Sequence, residues 1–122
     1  MNLVLWILQF VLGAMFIMAG ATKAFAYDKA LASLPWVKDV SHSLVSFIGI
    51  SEFLGGIGLI LPAATKILPV LTPVAAMGLA LVMLLATAFH LSRGEYAAVG
   101  FTLALGLAAA FVAYGRIKLR KI

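Results

Sequence analysis

Apolar residues in this chain fall into four long runs separated by short polar stretches. The first extends from Leu3 to Thr22 and is broken only by Gln9 and small residues. The second, about Leu44 to Leu61, carries one charge, Glu52. The third runs from about Val70 to Leu91, with Pro73 near its start and His90 near its end. The fourth, about Tyr96 to Tyr114, has no charge beyond its first turn. A membrane-crossing helix needs about 20 mostly apolar residues, which each run approaches or supplies. Backbone groups inside lipid must be satisfied within their own segment, so such runs are helices. The alternation of a membrane barrel strand is missing. The pattern predicts one domain over 1–122, with transmembrane helices at about 3–22, 44–61, 70–91 and 96–114.

The connections then fall at 23–43, 62–69 and 92–95. The latter two are short, with Pro62, Lys66 and Pro69 in one and Ser92-Arg93-Gly94-Glu95 as the other. Short links make sequential helices antiparallel neighbours, which predicts an all-α up-down-up-down bundle. The first connection is longer. Leu31, Leu34, Trp36, Val37 and Val40 interleave there with Lys29, Lys38, Asp39 and His42. That mixture predicts one or two short interfacial helices separated at Pro35, with Tyr27 and Trp36 at headgroup depth.

Composition agrees with this reading. Hydrophobic residues make up 65% of the 122 and charged residues 11%, against about half and about a quarter in soluble domains. A soluble chain this short could not hide so much apolar surface. Cysteine is absent, which excludes disulfides, thiolate metal sites and dithiol chemistry by this chain. The net charge of +5 comes from residues at helix ends and signals topology rather than nucleic acid. Arg116, Lys118, Arg120 and Lys121 follow the fourth run, and Lys66 lies on their side. Lys23, Lys29, Lys38 and Arg93 lie opposite. The balance predicts an inner (plasma) membrane protein with both termini cytoplasmic. Ala24-Phe25-Ala26 looks like a signal cleavage site, but no Lys or Arg precedes the first run and the run is long. A retained helix is expected.

Four polar residues stand out. Glu52 lies about eight residues into the second helix, some 12 Å below the surface, where an unpaired carboxylate costs several kcal/mol. Gly49, Glu52 and Gly56 share one stripe, and small residues mark close helix packing, so Glu52 is expected to face the interior. Lys23 ends the stripe Gly13-Phe16-Gly20-Lys23 and is either a snorkelling anchor or the partner of Glu52. His90 ends the third helix near the same level, as an interfacial histidine or a functional one. Arg93 follows in the loop and reads first as a headgroup contact. Met15, Met18, Met77 and Met83 read as packing fillers. No nucleophile–histidine–acid set and no phosphate loop is visible. Two histidines, His42 and His90, make neither a metal site nor a convincing haem pair.

Three stretches stand out in order: Met18-Ala19-Gly20-Ala21-Thr22-Lys23, Ile50 to Pro62 (ISEFLGGIGLILP) and Met83 to Glu95 (MLLATAFHLSRGE). Together they resemble the DoxX-like family of small four-helix bacterial membrane proteins. Their order and spacing match along essentially the whole chain. The resemblance implies several roles: subunits of thiosulfate–quinone oxidoreductase, membrane redox complexes, and chaperone or cargo roles in animal relatives. Any version that needs a thiol in this chain is weakened by the absence of cysteine.

Three functions are compatible with these residues. The first is a binding module for a quinone or another small apolar ligand, as part of a redox complex, using Glu52, His90, Lys23 and Arg93. The second is an interaction protein that assembles with itself or a partner membrane subunit. The third is a membrane enzyme on a lipid-soluble substrate, with Glu52 or His90 as general base. The bilayer is the common partner, and nucleic acid is not one.

Overall fold

The computed structural model describes residues 2–34 and 36–119. Among them the chain is all-helical: α1 (Asn2–Phe25), α2 (Tyr27–Ser33), a 3-10 turn (Val37–Asp39), α3 (His42–Thr65), α4 (Leu71–Ser92) and α5 (Tyr96–Leu119). The break expected at Pro35 and the tail residues Arg120 and Lys121 lie outside the described residues. α1, α3, α4 and α5 are long and apolar enough to cross a membrane. They form the up-down-up-down bundle of a multi-pass membrane protein, with α2 in the first connection. The end carrying α2 and the α4–α5 turn is here the loop end, and the opposite one the terminal end.

Three helices overrun the limits set by hydropathy, because local caps decide where a helix stops. At the start of α3 the Ser41 hydroxyl accepts a hydrogen bond from the Leu44 amide at 3.2 Å, satisfying an orphan donor of the first turn. The helix ends at Lys66 in the left-handed region, φ 60°. Pro62 therefore lies inside α3 rather than in the link. Its missing N–H leaves the Gly58 carbonyl, four residues earlier, without its helical donor. Thr72 Oγ1 of α4 supplies one at 3.0 Å. Gln9 of α1 donates to the next carbonyl, Leu59, at 2.7 Å. Two neighbouring helices thus stitch the proline turn.

Helix contact is most extensive between α1 and α3 and between α4 and α5, with α3–α4 joining the two pairs. The α1–α3 seam is a backbone contact. A Cβ on Gly20 would come within 2.5 Å of the Gly49 carbonyl oxygen, and one on Gly56 within 2.8 Å of Gly13 O. Only glycine allows that approach, which lipid-embedded helices use in place of a hydrophobic drive. The seam holds α1 and α3 in one register and so fixes where Lys23 and Glu52 meet. Leu12, Phe16, Leu59, Leu79, Met83 and Val112 fill the centre of the bundle. Leu54, Leu81, Leu84, Leu85 and Leu107 point outward, as residues facing lipid do.

Candidate functional site

At the loop end the structure brings together residues from both helix pairs. The stripe Gly49-Glu52-Gly56 turns Glu52 inward, and its side chain is 3% exposed. With α3 beginning at His42, Glu52 sits ten residues in, about 15 Å along the axis. Lys23, on the last turn of α1, folds back and meets it: Nζ to Oε1 is 2.6 Å. Of the two expectations for Lys23, the geometry supports the partner of Glu52. A buried pair of this kind is costly to form and costlier to break.

The second pair of helices contributes His90 and Arg93. His90 is buried on the last turn of α4. Its Nδ1 lies 2.8 Å from Glu95 Oε1, because Gly94, at φ +74°, turns the chain sharply enough to aim Glu95 back at α4. Arg93 Nε donates to the same Glu95 oxygen at 3.1 Å, and Arg93 Nη2 to Asp39 Oδ2 at 2.9 Å. Arg93 thus ties its own turn to the first connection rather than extending as a free headgroup contact. The hydrogen bond from His90, then that from Arg93, holds the Glu95 carboxyl below the usual carboxylate range. Asp39 and then Glu95 raise the Arg93 guanidinium.

Trp36 joins the halves. Lys23 Nζ lies 5.6 Å from the centre of an indole ring, and the His90 ring stands edge-on at 6.3 Å. Among the described residues His90 Nε2 has no hydrogen-bond partner, since Glu95 takes only Nδ1. With Nδ1 donating to an ionised carboxylate, Nε2 of the neutral ring is an acceptor; in the charged ring it is a donor. The arrangement can therefore receive or give a hydrogen bond at one ring nitrogen, beside a cation and an aromatic wall. No three metal-ligating side chains converge among the described residues.

The sequence model of the DoxX-like family matches residues 7–112. The chain belongs to the DoxX-like family. The match reaches from the first turns of α1 past the middle of α5, so it takes in Lys23, Glu52, His90 and Arg93 alike. No curated protein and no solved structure gives a significant match.

The terminal end of this DoxX-like bundle holds a second polar cluster that hydropathy passes over. Arg116 is 2% exposed. It does not flank the fourth helix as part of a basic tail, since α5 continues past it and carries it into the interior. Its Nε donates to Gln9 Oε1 and its Nη1 to Asn2 Oδ1 at 2.6 Å. The guanidinium carbon lies 5.2 Å from the centre of a Trp6 ring, a cation–π distance. The signal was present in the spacing. Leu5, Gln9, Leu12, Gly13 and Phe16 form one buried stripe on α1. Ala109, Val112, Ala113 and Arg116, all buried, form its counterpart on α5.

Proposed function

We propose that this DoxX-like protein binds the polar head of a quinone-like or other small apolar molecule at the loop end, as a subunit of a membrane redox complex. The observation that carries this reading is the unspent Nε2 of His90. It sits beside the Lys23–Glu52 pair and on the turn in which Glu95 is held by His90 and Arg93. A carbonyl oxygen would accept from the charged ring and a hydroxyl would donate to the neutral one, so both states of a quinone-type head suit the same nitrogen. Arg93 and Glu95 orient the imidazole, and Lys23 with Glu52 holds the seam beneath it. The Lys and Arg distribution, with Lys66 and Lys118 at the terminal end, supports cytoplasmic termini in the inner membrane.

Native mass spectrometry with lipid extraction tests this on gently purified protein, wild type beside His90→Phe and Glu52→Gln. The phenylalanine keeps an aromatic ring against Trp36 and removes the nitrogens. Wild type is expected to carry a quinone or similar apolar molecule that His90→Phe loses. A second reading has its own support: the Lys23–Glu52 pair is closed at 2.6 Å across the glycine seam, as a register-fixing clasp would be. Should every form release only bulk phospholipid while Glu52→Gln redistributes oligomers, the protein is an assembly component and the binding reading fails.

A further inference from the structure

The buried side of α3 carries Val45, Gly49 and Glu52. On its outer side, two adjoining clefts of about 500 and 350 Å³ share His42 as a wall. One follows α3 past Ser43, Ser46, Phe47 and Ile50. The other lies against the junction of α1 and α2 and is lined by Phe25, Tyr27, Asp28 and Lys29. The His42 ring lies flat on Tyr27, with centres 3.6 Å and planes 18° apart. That stack covers a face of the imidazole and leaves its edge, with both nitrogens, open to the clefts. The hydroxyls set this place apart. Every other described serine or threonine hydroxyl takes part in a hydrogen bond, most of them with a backbone carbonyl. Ser43 and Ser46 do not, and both line the groove. Among the described residues no side-chain hydrogen bond or ion pair engages Asp28, Lys29 or His42 either.

Below these groups the same surface turns apolar. Ser43, Phe47 and Ile50 follow at spacings of four and three and so share a face. Ile50 lies about 10 Å further along the axis than Ser43, and Phe47 and Ile50 are both exposed to the lipid side. The groove thus has charges and donors where α3 enters the membrane and an apolar floor beneath them, the polarity of an amphiphile. We infer that it binds one phospholipid with a zwitterionic, primary-amine head, the chemistry of phosphatidylethanolamine. Lys29, the His42 ring edge and the two hydroxyls supply donors to the phosphate, and Asp28 accepts from the ammonium. A glycerol head would leave Asp28 against a phosphate with no cation to meet it. A quaternary ammonium has no N–H to give the carboxylate. One acyl chain lies along Phe47 and Ile50. This site is separate from the one at His90 and does not depend on it.

Native mass spectrometry of the full chain tests the assignment, with the protein in detergent given equal amounts of dioleoyl phosphatidylethanolamine, phosphatidylglycerol and phosphatidylcholine. Wild type is expected to keep one phosphatidylethanolamine in about threefold to fivefold preference over either competitor, the scale of one exposed charged pair. Asp28→Asn should bring the three lipids level. His42→Phe with Ser46→Ala keeps a ring on Tyr27 but removes two donors, and should lower retention of all three about fivefold. Circular dichroism melting checks the fold of each variant. Asp28 is exposed and engages no other side chain, so Asp28→Asn decides the matter should the double variant melt early. Equal retention of the three lipids by wild type overturns the site and leaves only annular contact. A wild-type preference that survives Asp28→Asn overturns the amine assignment. Displacement of the bound lipid by an equal concentration of glycerophosphoethanolamine, which has the head without chains, overturns the role of Phe47 and Ile50 and makes the ligand a free phosphate ester.

Discussion

The two ends of the bundle each bury a strong cation, but they accommodate it differently. At the terminal end Arg116 is met by the amide oxygens of Gln9 and Asn2 and by the face of Trp6. Gln9 in turn reaches the Leu59 carbonyl beside the Pro62 turn. The guanidinium therefore holds Gln9 in place against the α3 backbone next to the proline turn. At the loop end Lys23 is met by a carboxylate deep in a helix, with a second network of His90, Glu95, Arg93 and Asp39 alongside. Much of that network exceeds what packing requires, and one imidazole nitrogen has no hydrogen-bond partner among the described residues. Polar groups packed against a backbone turn differ in this way from polar groups that join two helix pairs: the first brace one helix against its neighbours, the second include an imidazole with a nitrogen left over among the described residues.

That contrast breaks most readily at Lys23. Lys23→Met leaves Glu52 at depth without its cation, and a loss of about 3–5 kcal/mol is expected. Glu52→Gln is milder, about 1–3 kcal/mol, because the lysine stem can carry its charge to the polar surface. Denaturant unfolding in detergent measures both. If the two cost the same, Lys23 does not depend on Glu52 for its placement. The double variant Lys23→Met with Glu52→Leu sharpens the point. Recovery to within about 1 kcal/mol of wild type, with ligand retained, makes the pair a clasp. At the other end Arg116→Met is expected to cost about 1.5–3 kcal/mol, the range for hydrogen bonds from a charged donor. It should leave ligand content unchanged. A variant that unfolds no more easily than wild type, or that loses the ligand, erases the distinction between the ends.

Much of this was legible in the sequence where a rule of spacing applied. Glu52 shares its stripe with Gly49 and Gly56, which turned it inward, while Lys23, on a stripe with Gly13 and Gly20, was left as either a snorkelling anchor or the partner of Glu52. Run lengths put His90 at the same level. The helix ends were less legible, since the Ser41 cap and the left-handed Lys66 outweigh hydropathy and draw Pro62 into α3. Arg116 was hidden by its position. A basic residue just beyond an apolar run, followed by Lys118, reads as a membrane flank, and only its spacing from Ala109 and Val112 shows it turned inward. Asp39, Glu95 and Trp36 were out of reach as site components. Their positions depend on the path of the first connection over the bundle, which the small cluster of Ala30, Val37 and Val45 sets, and no local pattern encodes that meeting.

The smallest effect separates the ends by pH. Glu95 is held below its ordinary value of 4.5 by His90 and Arg93, so its bonds favour the folded state while it is ionised. That contribution is complete above about pH 4.5 and is lost as pH falls below it through the lowered folded-state value. The raised Arg93 works in the other direction, with its contribution intact below the ordinary guanidinium range and therefore constant across the accessible range. Because the Arg93 side of the network is exposed, the change in stability is small and screened by salt. Melting followed by circular dichroism should show a modest drop in midpoint below pH 4.5. Glu95→Gln should flatten that drop, while Arg116→Met, which touches no carboxylate of the loop end, should leave it in place. A drop that persists in Glu95→Gln assigns the acid sensitivity to another carboxylate. The loop-end turn would then be as indifferent to acid as the terminal cluster of Gln9, Asn2 and Arg116.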